Sequence, residues 1–148
     1  MDDKIISFSL FEKDNSIKGF KTNIEKNTLN NKYFRDVLYT GKDIQLVLMT
    51  LKGGEDIGEE THENDQFFRF EEGEGKVIIN DNEYKVEDGD AIIIPAGSKH
   101  NIINTDKDNE LKMYTIYAPP HHKDGIIHKT KKDAKDSNEK FDGKISED

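Results

Sequence analysis

Residues 53–75 read GGEDIGEETHENDQFFRFEEGEG, and residues 89–104 read GDAIIIPAGSKHNIIN. Inside these stretches lie short runs of β-branched, aromatic and alternating residues, Gln66 to Phe70, Ala91 to Ile94 and His100 to Ile103, each bounded by Gly, Pro, Asn or Asp. The same texture extends to both sides. Ile44 to Leu51 (IQLVLMTL), Lys76 to Ile79 (KVII), Glu83 to Val86 (EYKV) and Leu111 to Tyr117 (LKMYTIY) complete a series of seven expected strands. Asn80 to Asn82, between KVII and EYKV, predicts a hairpin. Strands this short and closely spaced indicate an all-β sandwich or barrel rather than alternating β and α units.

Spacing sets two groups of residues apart. Gly54 is followed six residues on by Glu60, then His62, Gln66 and Gly73; Gly89 is followed six residues on by Pro95, then Gly97, His100 and Asn104. With each position of the second group matched at about 5%, a chance match anywhere in the chain is on the order of one in ten thousand or rarer. Both groups resemble the paired motifs of the cupin superfamily. The first departs from the commonest pattern at two positions, with Glu60 where a His is usual and Gln66 where a Glu is usual, and both replacements keep a metal-binding atom. The resemblance implies an all-β double-stranded β-helix, or jelly-roll barrel, holding one divalent metal ion (Mn, Fe, Zn or Ni) through Glu60, His62, Gln66 and His100. Strand geometry agrees, because residues two apart share a face: Glu60 and His62 can address one ion while Thr61 faces away. Gln66 then arrives from past a turn and His100 from another strand. Four ligands from a rigid wall leave one or two positions of a six-coordinate ion open.

Other residues have simpler readings. Pro95 and Gly97 make a turn that delivers His100, and Asn104 ties the following bend. Phe68 and Phe70 share the parity of Gln66 and read as core. Arg69 and Tyr114 are compatible with an anionic or hydroxylated ligand and equally with the surface. His121, His122 and His128 follow a double proline in a polar segment, which argues against their being further ligands.

The bulk composition narrows the function classes. The 148-residue chain has room for one core, and its formal net charge is -9. Between Glu55 and Asp90, fourteen acidic residues face Arg69, Lys76 and Lys85. Such a surface repels polyanions, so nucleic acid is not an expected partner. No apolar run approaches the roughly 20 residues that cross a bilayer, so no membrane partner is expected, and the acidic start at Asp2 and Asp3 does not resemble a secretory signal, which leads to a cytoplasmic expectation. The chain contains no cysteine, which excludes disulfides and thiolate metal sites.

The likeness extends to Tyr33 to Leu38 (YFRDVL) and to the exit MYTIYAPPHHKDG, over roughly residues 31 to 135, and is similar to bacterial single-domain cupins described as mannose-6-phosphate isomerase-like. The texture of the chain divides it into a leader over residues 1–31, a barrel over 32–120 that ends at the double proline, and a polar C-terminal tail over 121–148, with a short exposed helix or frayed end from about Lys131. The likeness also implies a homodimer and a small-molecule ligand or substrate. Three functions fit: a metal-dependent isomerase-like enzyme acting on a sugar, sugar phosphate or sugar acid; an Fe(II)-dependent oxygenase; and a non-catalytic binder with a structural metal. The isomerase reading lacks an assignable general base, since no further Glu or His is certain to face the cavity.

Overall fold

Alternation along QFFRF is realised in strand β3 (Asp65–Glu72), where Gln66, Phe68 and Phe70 are buried while Phe67 and Arg69 lie toward the outside. The computed structural model describes residues 16–147. Before β3 come helix α1 (Ile24–Asn30) and strands β1 (Arg35–Thr40) and β2 (Gln45–Leu51). After it come β4 (Glu74–Ile79), β5 (Asn82–Glu87), β6 (Ala91–Ile94), β7 (His100–Asn104), β8 (Leu111–Ala118) and β9 (Ile127–His128), then helix α2 (Lys131–Lys135). All seven expected strands form. β1 and β9 are additions that the sequence texture did not announce.

The strands make two antiparallel sheets, one in the order β6-β3-β8-β2-β1-β9 and one in the order β5-β4-β7. Isolated bridges from Asp56 to Ile103 and from Glu60 to His100 carry the smaller sheet one segment past β7. The core lies between the inner faces. Val47, Met49, Leu51, Phe68, Phe70, Leu111 and Met113 come from the large sheet, and Val77, Val86 and Ile102 from the small one. Each such side chain contributes about 1.5–3 kcal/mol by leaving water. Register rows run straight through the large sheet: Phe70 pairs with Met113 and Met113 with Met49, while Gln66 pairs with Tyr117 and Tyr117 with Gln45. The chain is thus an all-β double-sheet barrel.

Two turns need a left-handed backbone. Gly73 has φ 105°, and a Cβ there would sit 2.5 Å from the Glu110 carbonyl oxygen, so both conformation and space require glycine. Gly97 has φ 82° with open space around it, so conformation alone is at stake. At the expected hairpin Asn80 takes φ 54° between Ile79 and Asn82, which pair across the turn.

The leader reading covers residues 1–31, of which 1–15 lie outside the described residues. The rest of it packs on the barrel. Asn23 caps α1 by accepting from the Lys26 N–H at 3.0 Å, and the Asn31 carbonyl accepts from Thr50 Oγ1 at 2.8 Å and from Lys112 Nζ on the outer face of β2 and β8. Residues 121–147, polar in composition, return to the barrel as well. β9 adds to the sheet edge, with Ile127 opposite Asp36 and His128 opposite Arg35, and farther on the Ser146 N–H donates to the Thr40 carbonyl at 2.9 Å. α2 buries no residue, in keeping with the short exposed helix expected there. Among the described residues no helix is long and apolar enough to cross a membrane.

Candidate metal centre

The site begins with a backbone pairing. Glu60 and His100 exchange both main-chain hydrogen bonds, each at 2.9 Å, and residues opposed in this way send their side chains to the same face. His62, two residues beyond Glu60 on extended chain, joins that face. The Pro95–Ser98 turn is tied to this segment through the Gly97 N–H, which donates to the His62 carbonyl at 2.8 Å. As a result one ligand-capable atom from each of Glu60, His62 and His100 lies within 4.8 Å of the others. His62 Nε2 stands 3.9 Å from Glu60 Oε2, and the two imidazole rings meet edge to face with centroids 4.8 Å apart.

Hydrogen bonds outside the cluster orient it. His100 Nδ1 lies 2.9 Å from the Ser98 carbonyl oxygen; a carbonyl only accepts, so Nδ1 carries the proton and Nε2 presents a lone pair. Gln66 Nε2 donates to Thr115 Oγ1 at 3.0 Å, which leaves its carbonyl oxygen turned away from that contact. Burial holds the His62 imidazole below the usual histidine range, and the nearby His100 adds to the effect, so the ring is neutral at pH 7. Neutral imidazole is the form that binds metal.

Three buried atoms here have no hydrogen-bond partner: His62 Nδ1, His62 Nε2 and Gln66 Oε1. An unpartnered buried polar atom costs about 1–3 kcal/mol, and buried polar groups are otherwise almost always paired. All three stand on the two side chains, His62 and Gln66, already singled out by spacing. A donor set of two imidazoles, a carboxylate and a carboxamide oxygen fits a first-row divalent ion, whose coordination satisfies lone pairs that no N–H reaches.

Sequence reasoning missed His121 as a neighbour of the site. Beyond β8, Pro119 and Pro120 turn the chain back, and the His121 ring comes to rest with its centroid 4.7 Å from that of His62. Gln45, fully buried, clamps this turn: its Oε1 accepts the N–H groups of His121 at 3.0 Å and His122 at 2.9 Å, while its Nε2 donates to the His122 carbonyl at 2.7 Å. His122 is gripped from both sides, with Nδ1 2.6 Å from Glu139 Oε1 and Nε2 3.2 Å from the Tyr117 hydroxyl. Tyr117 stacks on His121 at 5.2 Å. Burial, followed by the proximity of His122 and His62, pushes the His121 imidazole down to about 4. One signal was available in the sequence: a double proline straight after β8 holds the next residues near Tyr117, which pairs with Gln66. His128 lies elsewhere, opposite Arg35. Arg69 and Tyr114 are across from each other on the outer face, where Arg69 Nε meets Glu71 Oε1 at 3.1 Å.

Comparison with known proteins agrees with this architecture. The Cupin domain family matches residues 47–117. The uncharacterized protein YrkC of Bacillus subtilis (strain 168) is 47% identical over 133 residues, covering 85% of this chain and 71% of that protein. An uncharacterized protein of Acanthamoeba polyphaga mimivirus is 41% identical over 117 residues, covering 76% of this chain and 73% of the relative. The crystal structure of BH2720 from Bacillus halodurans is 46% identical with a TM-score of 0.78, covering 81% of this chain and 96% of that one. With the paired motifs, the double-sheet barrel and an inward Glu-His-His cluster in place, the chain belongs to the cupin superfamily.

Proposed function

We propose that this cupin holds one divalent ion through Glu60, His62, Gln66 and His100 and acts on a small oxygen-rich molecule, a sugar, sugar phosphate or sugar acid, in an isomerase-like reaction. The observation that carries this reading is the set of unpartnered buried polar atoms on His62 and Gln66 beside Glu60 and His100. When bound, such an ion supplies Lewis acidity to a carbonyl or hydroxyl oxygen. The protein's own groups supply the rest. Glu60, His62 and His100 cluster together, Gln66 is held by Thr115, and the Tyr117 ring lies against His62 with centroids 5.7 Å apart. His121 is the group that the isomerase reading lacked. It stands beside His62 and is neutral at pH 7, and its ring nitrogens bond to no other described residue, so one of them is free to accept a proton from a ligand or to hold one for it.

An Fe(II)-dependent oxygenase is the second reading, favoured by the two-histidine, one-carboxylate content of the Glu60, His62, His100 cluster. Loading the protein with Fe(II), Mn(II) or Zn(II) and presenting sugars, sugar phosphates and small keto acids, with and without air, separates the two. Turnover by the zinc form without oxygen is expected. Oxygen consumption confined to the iron form would replace the isomerase-like reading with the oxygenase, and silence across the panel would leave a binder with a structural ion.

A further inference from the structure

Arg35, in the YFRDVL block, is a buried cation without a direct ion pair. It lies on β1 with only 6% of its surface exposed, and no Asp or Glu among the described residues lies within ion-pairing distance of it. Its polar contact is His128 on β9, also 6% exposed, with Arg35 Nη1 3.0 Å from His128 Nδ1. A guanidinium has no lone pair to offer and keeps its protons at any ordinary pH, so Nδ1 must be the acceptor. The neutral ring then carries its proton on Nε2. Burial, together with the Arg35 charge, holds His128 below the usual histidine range, in keeping with that neutral form.

The outcome is two donors with nothing to donate to. Arg35 Nε and His128 Nε2 are both buried and both without a hydrogen-bond partner. They belong to cross-strand neighbours, since Arg35 and His128 are directly paired in the β1–β9 ladder. The Phe34 ring, 5.2 Å from the guanidinium carbon, offers a π face, worth no more than about 2 kcal/mol against the several kcal/mol that burial of a lone charge costs. The nearby carboxylate is already engaged elsewhere: Glu139 accepts from His122 and from the Lys123 N–H at 2.7 Å. Lone buried charges are rare unless something of opposite sign joins them.

We propose that Arg35 and His128 form a binding site for a small monoanion of the carboxylate type, either a free ion or the carboxylate end of a molecule held in the barrel. A carboxylate offers several acceptor lone pairs and one negative charge, matching a guanidinium N–H, an imidazole N–H and one positive charge. Bound there, it ties β9, a strand of two residues, to the barrel wall at β1. The site stands on Arg35 and His128 alone and does not depend on the metal reading.

Formate is the probe. Calorimetric titration of the full-length protein in a HEPES buffer free of other small carboxylates should show saturable one-to-one binding, weakened at least tenfold in Arg35→Met and severalfold in His128→Phe. Binding should persist in the His62→Ala, His100→Ala double variant, which separates this site from the metal cluster. Glycolate distinguishes the sources: equal affinity with and without added Mn(II) identifies a free-ion site, and tightening by the metal identifies the carboxylate end of a molecule that also reaches the ion. In case Arg35→Met fails to fold, crystals of the unaltered protein soaked in bromide should show an anomalous peak beside Arg35. No saturable formate heat together with no such peak, or undiminished binding in folded Arg35→Met, would overturn the proposal.

Discussion

Glu60 and His100 face each other as a hydrogen-bonded antiparallel pair, with both N···O distances at 2.9 Å. This two-bond clasp sets the geometry of the candidate metal centre, because it aligns side chains from two distant segments before any ion arrives. Preorganisation of this kind lowers the ordering cost of binding.

Removing imidazoles should therefore remove metal. Purified protein is expected to carry about one divalent ion per chain, and His62→Ala or His100→Ala should lose most of it. Gln66→Ala should lose less, since a carboxamide oxygen is the weaker ligand for such ions. Elemental analysis reads the result. Full occupancy in the His62→Ala, His100→Ala double variant would eliminate the ligand assignment.

The clasp was legible in part. The spacing of Glu60, His62 and Gln66 and the parity of QFFRF carry inward-facing information locally, because side-chain direction in a strand follows a period of two. β1 was obscure because RDVLYT opens with two charged residues, and Arg35 is buried against expectation for its type. His121 was beyond local reading for another reason. Its place beside His62 depends on a hydrogen bond from its backbone N–H to Gln45 and on the packing of His122 against Glu139, contacts that join distant parts of the chain and leave no periodic trace.

Gln45→Ala tests that long-range clamp. It strips the acceptor from two backbone N–H groups and the donor from the His122 carbonyl, and the expected loss is about 2–4 kcal/mol for donors left unpaired in a buried setting. Urea denaturation should show a lower midpoint, and amide exchange at His121 and His122 should quicken. Unchanged exchange would mean that the turn is held by the prolines alone.

The histidines also make stability depend on pH. His121 has its ordinary value near 6.5 in the unfolded chain and about 4 when folded. A depressed value means that the unfolded chain binds the proton first, so this contribution is complete above about 6.5 and fades as pH falls toward 4. His122, lowered chiefly by burial, acts in the same direction. In chelator-treated protein the melting temperature should fall between pH 7 and pH 4.5, and His121→Asn should flatten that slope. Glu139 contributes in a lower window. Burial opposes its charge, but the His122 hydrogen bond and the Lys123 N–H bring it down to about 2, so its share is lost between about 4.5 and 2. A melting temperature that is level from pH 7 to 4.5 would contradict the buried neutral state of both rings.

Gly97 separates backbone strain from crowding. Its φ of 82° lies in the left-handed region, yet a Cβ built there meets nothing within 4 Å, so any damage from substitution arises from conformation alone. Gly97→Val should cost about 1–3 kcal/mol, because a β-branched residue resists positive φ, whereas Gly97→Asn should cost less, since Asn enters that region more readily. The effect should reach the metal. The Gly97 N–H anchors the His62 carbonyl, and the same turn leads through Ser98, whose carbonyl fixes the His100 tautomer. Strain relieved by shifting this turn would disturb both histidines at once. Melting temperature and metal occupancy should accordingly fall together in the order glycine, asparagine, valine, measured on purified proteins by thermal denaturation and elemental analysis. A valine variant that melts lower but keeps its full complement of metal would show that the turn supports the fold without setting the ligand geometry.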